Sequence, residues 1–339
     1  MRSLSTEEAT VEKSEMISLA RPRFTWTRFL TAISRLLVLF IMVVVVSILN
    51  PKFLTTGNIL NVLRQAAPIF IIGVGQTIVI LARGIDLSMD SVASLTSVVT
   101  ATLMIDNKIP FYLAMAIGLA LGSLLGLFNG LIITKIKLPP FVATFGTWLL
   151  FKGLTVLWID GRVISGFSKG FTYMGIGRLF GVPVIILIAI LVYFFFRILL
   201  KQTIFGRKVY SIGANPDASR VSGIKIDRIL IIVFIISALM ATLGSQLYIA
   251  RIDSAKSDFG EGFALDAIAA TLIGGTSFDG GVGTIEGTLI GALIIILLRN
   301  AMNLLGISPY WQGLATGVII IIAVLGDTYL KKIAKRYES

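Results

Sequence analysis

The sequence predicts an all-α, polytopic membrane protein of about ten transmembrane helices. Three observations carry this. The mean hydropathy is +0.92. Of the 339 residues, 56% are hydrophobic and only 14% are charged. Apolar runs long enough to cross a bilayer recur from residue 30 to residue 330. A soluble domain carries about 25% charged residues, and this excess of apolar side chains does not suit a water-facing surface.

The elements follow in order. Residues 1–29 are polar and read as a cytoplasmic tail. They are not a cleavable signal, because the first apolar run, 30–50, is itself long enough to span. Further segments fall at 66–82, 87–105, 111–133, 140–158 and 182–200, then at 229–250, 264–277, 284–300 and 312–330. A spanning helix needs about 20 mostly apolar residues. By that measure two segments are weak: 87–105 is rich in Ser and Thr, and 264–277 is short and flanked by glycine. Broken helices of transporters have this character. The transmembrane region so defined is 30–330, and 331–339 reads as a second cytoplasmic tail.

Charge tests the count. With the N-terminus inside and ten crossings, the inside segments hold twice as many Lys and Arg as the outside ones. Dropping either weak segment would place a large basic segment outside, against the positive-inside rule. The net charge of +12 therefore reads as topology-setting loop charge beside lipid, with no nucleic-acid partner. A short likeness between Asp90–Ser94 and Asp266–Ala270 suggests a five-plus-five inverted repeat.

With no Cys and no His, the chain has no disulfide, no thiolate or imidazole metal site and no nucleophile–base pair built on those residues. No Gly-x-x-x-x-Gly-Lys-Ser/Thr cradle occurs, and Gly274-Gly275 and Gly280–Gly283 read as a tight turn. The expectation is a transporter rather than an enzyme, with no metal and no cofactor of its own.

The basic stretch 201–228 is the longest cytoplasmic loop. Within it Asn215 suits an N-cap, Pro216 the first helical position and Gly223 a left-handed C′ residue. They define a two-turn helix, too short to be stable without a packing surface. Intramembrane acids and bases form a second group: Asp86, Asp90, Lys152, Asp266 and Glu286. Asp86 and Asp266 suit helix N-caps, Glu286 and Arg197 suit snorkelling helix ends, and Lys152 suits an ion pair with an acid on a neighbouring helix. A neutral, hydroxyl-rich solute would be passed by hydrogen-bonding and aromatic side chains. Asn61, Gln65, Gln76, Asn129, Phe145, Trp148 and Asn303 are the candidates, while Gly118, Gly122 and Gly126 suit close helix packing.

The motifs taken together resemble the membrane-spanning permease subunit of bacterial ABC importers for monosaccharides, of the ribose/xylose/galactose type. The resemblance rests on residues 206–224, where Gly206, Arg207, Tyr210, Gly213, Asn215, Ala218, Ser222 and Gly223 fit the family's loop, with Pro216 and Arg220 between them. It rests also on Gly84–Ser88, Pro139–Phe141, Leu265–Ala270, Gly274–Ser277, Gly280–Thr284 and Asn303–Gly306. It implies a cytoplasmic ATP-binding subunit that binds ATP and Mg and docks on the loop. It further implies a second permease copy or paralogue, an extracytoplasmic sugar-binding protein, and a bacterial inner membrane. The departures are Met89-Asp90, where the family has Val-Gly, Ala214 in place of Gly, and Lys152 in place of Arg. Two other readings stay open on the residues: an ion-coupled secondary transporter using Asp86, Asp90 and Asp266, and an ABC permease for a branched-chain amino acid.

Overall fold

The computed structural model describes residues 26–308, 310–318, 321–322 and 325. Residues 1–25 of the expected tail 1–29, the end of the expected segment 312–330 and the expected tail 331–339 lie outside the described residues.

Helix α1 (Trp26–Leu49) touches the rest at one edge, where Val46 meets Phe53 and Ala301. Most of its other described apolar side chains are exposed, as on a helix that faces lipid. Helix α2 (Thr56–Leu81) is the opposite case. It begins ten residues earlier than the apolar run suggests, because Thr55 accepts the Asn58 N–H and caps a polar first turn. From Ala66 to Leu81 every residue is buried, so α2 is the central post of the bundle.

The loop after α2 leads to α3 (Met89–Ile105) and then α4 (Phe111–Leu131), which is prolonged by a π-turn at Ile132–Ile136. Helix α5 (Pro140–Ile159) starts on the Pro139-Pro140 pair. The strand β1 (Ile164–Ser165), helix α6 (Lys169–Ile176) and the hairpin β2 (Arg178–Leu179) and β3 (Val182–Pro183) connect it to α7 (Val184–Gln202). Two short helices follow, α8 (Ile204–Ala214) and α9 (Pro216–Val221). The long α10 (Ile226–Ile252) ends at β4 (Ser254–Ala255), which pairs antiparallel with β1. Helices α11 (Phe263–Ile273) and α12 (Ile285–Leu304) complete the named elements, and residues 310–318 are again helical.

Helix α10 packs on α2, α3 and α4. The expected small-residue stripe makes the last contact possible: a Cβ on Gly122 would lie 2.1 Å from Thr242 Oγ1, and one on Gly126 would lie 2.5 Å from the Phe234 carbonyl. Helices α7, α11 and α12 enclose the other sides of α2.

Among the described residues six helices are long and apolar enough to cross a membrane: α2, α4 with its π-turn, α5, α7, α10 and α12. The chain is thus an all-α, multi-pass membrane protein. The described part of α1, together with α3 and α11, is apolar but shorter. At 1.5 Å per residue, α11 is about 16 Å long, roughly half a bilayer core. The weak segment 264–277 is therefore a half-helix followed by a turn.

Candidate functional site

The stretch 201–228 is not a plain loop. Thr203 accepts the Gly206 N–H and starts α8, which runs to Ala214. Asn215 then separates α8 from α9 and caps the latter, accepting the Ala218 N–H at 3.0 Å. Gly223 adopts φ +80°, the left-handed conformation expected of a C′ residue. Ser219 is the one buried residue of α9, whereas Val221 is 90% exposed and Asp217 pairs with Arg220 in the open. Arg207, Ala218 and Ser222 are exposed too.

Helix α8 is bolted to the bundle. Arg83, just after α2, donates through Nε to the Gly213 and Asp279 carbonyls at 2.7 and 2.9 Å, and through Nη2 to the Ala214 carbonyl at 3.1 Å. The Gly281 N–H donates to the Leu81 carbonyl at 3.0 Å. Tyr210 Oη donates to the Gly283 carbonyl at 2.8 Å. Burial pushes the Tyr210 phenol up to about 12, with nearby Glu286 adding to it, so the proton stays on the donor. Glu286 is not a lone snorkelling end: its Oε1 accepts from Arg197 at 2.8 Å and Lys201 at 2.6 Å, tying α12 to α7.

Deeper in the bundle, Asp86 is buried and accepts three hydrogen bonds. One oxygen accepts the Ser88 N–H (2.9 Å) and hydroxyl (2.6 Å), and the other accepts the Ser237 hydroxyl (2.6 Å). Asn129 Nδ2 donates to Ser88 Oγ at 2.8 Å, so Asn129 supports this knot. Asp86 does not cap a helix: it stands three residues before α3 and forms an Asx-type turn on Ser88.

Asp90 does cap a helix, but a distant one. Its two carboxylate oxygens accept the Gly262 N–H (3.2 Å) and the Ala264 N–H. These amides belong to the start of α11, whose own N-cap, Gly262, has no side chain to offer. Ser94 Oγ also accepts the Gly260 N–H at 3.1 Å. Asp90 and Ser94 together strap residues 260–264 onto α3. Between them, Glu261 pairs with Lys152 at 2.6 Å; Lys152 does find its acid, though on a loop rather than a helix. Asp266 pairs with Arg299 of α12 at 2.5 Å and serves no cap either.

Asp90→Gly should therefore cut uptake by about tenfold or more while assembly persists, since orphaning two part-buried N–H groups costs up to about 1–3 kcal/mol each. Asp90→Asn, which keeps an acceptor oxygen, should fall between. Uptake of Asp90→Gly equal to wild type would show that the strap is dispensable.

The expected path residues separate. Gln65 and Asn303 line one cavity of ≈ 190 Å³ with Tyr248, Arg251, Arg299 and Gln312. Gln76 is fully buried, and neither of its side-chain polar atoms has a partner among the described residues. Asn61 is half-buried on the first turns of α2. Phe145 and Trp148 lie elsewhere, on α5: Phe145 stacks on Phe141, and Lys152 sits 5.5 Å over the Trp148 ring. Glu261, Arg83, Ser237 and Arg299 are missed by sequence reasoning. The last is a charge near a helix end, a signal that was available; the others show only through contacts far along the chain.

Comparison with known proteins sets this architecture in a family. A family model described as a branched-chain amino acid transport system / permease component matches residues 58–324. The ribose import permease protein RbsC of Haemophilus influenzae is 43% identical over 307 residues, 89% of this chain and 95% of its own length. That of Bacillus subtilis is 42% identical, over 93% of this chain and 98% of its own. The galactose/methyl galactoside import permease protein MglC of Escherichia coli is 34% identical, over 86% and 92%. The chain belongs to the monosaccharide ABC-importer permease family. No solved structure matches it significantly.

A sugar-import permease of this kind is a transporter component, not an enzyme. The amino-acid wording attaches to the broad family model, while these full-length relatives are sugar permeases. In such a permease the carboxylates Asp86, Asp90 and Asp266 are occupied by protein donors, as structural groups are.

Proposed function

We propose that this permease translocates a monosaccharide inward across a bacterial inner membrane, with ten crossings and both termini in the cytoplasm. It works with a cytoplasmic ATP-binding subunit, a second permease copy or paralogue, and an extracytoplasmic sugar-binding protein. ATP and Mg belong to the ATP-binding subunit, and this chain binds no cofactor. The ribose permeases at 41–43% identity make a pentose the first sugar to test.

The observation that carries the reading is α9. A helix of six residues is not stable alone in water. It is capped at both ends, rests on the protein through Ser219, and offers Val221, Asp217 and Arg220 outward. A groove on the ATP-binding subunit suits that surface. A push on α9 passes to α8, and from there through Arg83 and Tyr210 to the end of α2 and to the 279–283 turn before α12.

Two further features support the arrangement. Lys152 is the thirteenth residue of α5, and its pair with Glu261 is half-exposed. A charge at that depth is costly against hydrocarbon. This face, with Phe141, Phe145 and Trp148, fits a path fronting a second permease rather than lipid. Helices α3 and α11 each begin inside the bundle with an aspartate in the first turn, and Asp90 bridges the two starts. That favours the five-plus-five inverted repeat.

Arg220→Glu and Val221→Asp should leave the permease in the membrane but weaken co-purification of the ATP-binding subunit about tenfold, or about 1.4 kcal/mol. Wild-type retention and uptake with both changes would overturn the coupling role of α9.

A further inference from the structure

The cavity between α2, α10 and α12 carries more positive charge than a neutral sugar requires. Arg251 and Arg299 line it. Arg64 directly precedes the lining residue Gln65 on α2. The Nε atoms of all three are buried and without a hydrogen-bond partner among the described residues. Among the described residues one acid answers these cations: Asp266, on Nη2 of Arg299. Asp253, two residues beyond Arg251, is engaged by the Phe167 N–H instead. Arg251 lies over the Tyr248 ring at 5.3 Å, and no acid pairs with it among the described residues. Burying guanidinium groups without a counter-charge is expensive. Planar N–H donors converging on a pocket are what recognises a carboxylate or phosphate. Gln65, Asn303 and Gln312 also line it and offer hydrogen bonds suited to hydroxyl groups.

We infer that this cavity is a binding site for a small hydroxylated oxyanion, such as a sugar acid or a phosphate ester, held by Arg251 and Arg299 with Arg64 beside them. The inference stands on the charge and shape of the cavity, and it does not depend on which sugar the importer carries.

The test is calorimetric titration of the purified full-length permease with gluconate and with inorganic phosphate, using ribose as the neutral control. At least one anion should bind saturably, more weakly as salt rises, and ribose should not displace it. Arg64→Gln and Arg251→Gln should each raise its Kd by about tenfold or more, with Arg251→Lys less affected. Arg299 is left intact because it holds Asp266. If Arg251→Gln fails to fold, Arg64→Gln carries the test from its half-buried position. Absence of saturable binding by both anions would overturn the inference. So would wild-type affinity in an Arg64→Gln variant whose melting midpoint is unchanged.

Discussion

Asp86→Ala is expected to be among the most damaging single changes in the bundle. The carboxylate accepts three hydrogen bonds at the junction of the loop before α3 with α10, and Asn129 of α4 leans on the same serine. Alanine leaves those donors facing a void. At about 1–3 kcal/mol per orphaned buried group, with the hydroxyls partly recovering bonds to their own backbone, the loss is roughly 3 kcal/mol. The melting midpoint of the detergent-purified protein should fall by several degrees and its membrane yield should drop. Asp86→Asn keeps one acceptor oxygen and should be milder. A midpoint for Asp86→Ala equal to wild type would mean the knot adds nothing.

Gly213→Val should have a comparable effect at the other functional centre. A Cβ at this position would lie 1.9 Å from the Leu81 carbonyl and 2.3 Å from the Gly281 N–H. Both obstacles are backbone, so relief requires α8 to move away from α2 and from the glycine turn. Overpacking of this kind costs roughly 1–3 kcal/mol or more. The displacement also breaks the Arg83 bonds to Gly213 and Ala214. ATP-driven uptake should be lost even where the permease still reaches the membrane. Gly223→Val is a useful contrast: open space surrounds that residue, and the penalty is the left-handed φ of +80° alone. It should be the milder of the two.

How far the sequence reaches is clearest in this region. The caps of α9 are legible because Asn215, Pro216 and Gly223 act on their immediate neighbours, and local rules suffice for local geometry. Helix α8 is not legible, since its polar, basic face masks the buried Val209, Ile212 and Gly213 that dock it. The start of α2 is missed for a related reason. Hydropathy marks where a helix enters apolar surroundings, whereas Thr55 sets where the backbone begins to turn.

The acids show a different limit. Their presence in apolar segments signals a role, but the partner decides which role. Asp90 meets backbone amides more than 170 residues away, and Asp266 meets Arg299 on another helix. Capping was expected of Asp86 and Asp266, and it is Asp90 that performs it, at the start of α11. Phe145 and Trp148 show that residue type without helix rotation cannot say which side chains come together: both sit on α5, outside the cavity lined by Gln65 and Asn303.

This chain is expected to move sugar only under the drive of an ATP-hydrolysing partner. Reconstitution into proteoliposomes tests that directly, with radiolabelled ribose as the first substrate and the sugar-binding protein supplied on its own side. Accumulation is predicted only when the ATP-binding subunit and ATP-Mg are both present, and imposed proton or sodium gradients should produce none. Concentrative uptake by the permease alone, driven by either gradient, would contradict the account and return Asp86, Asp90 and Asp266 to consideration as ion sites.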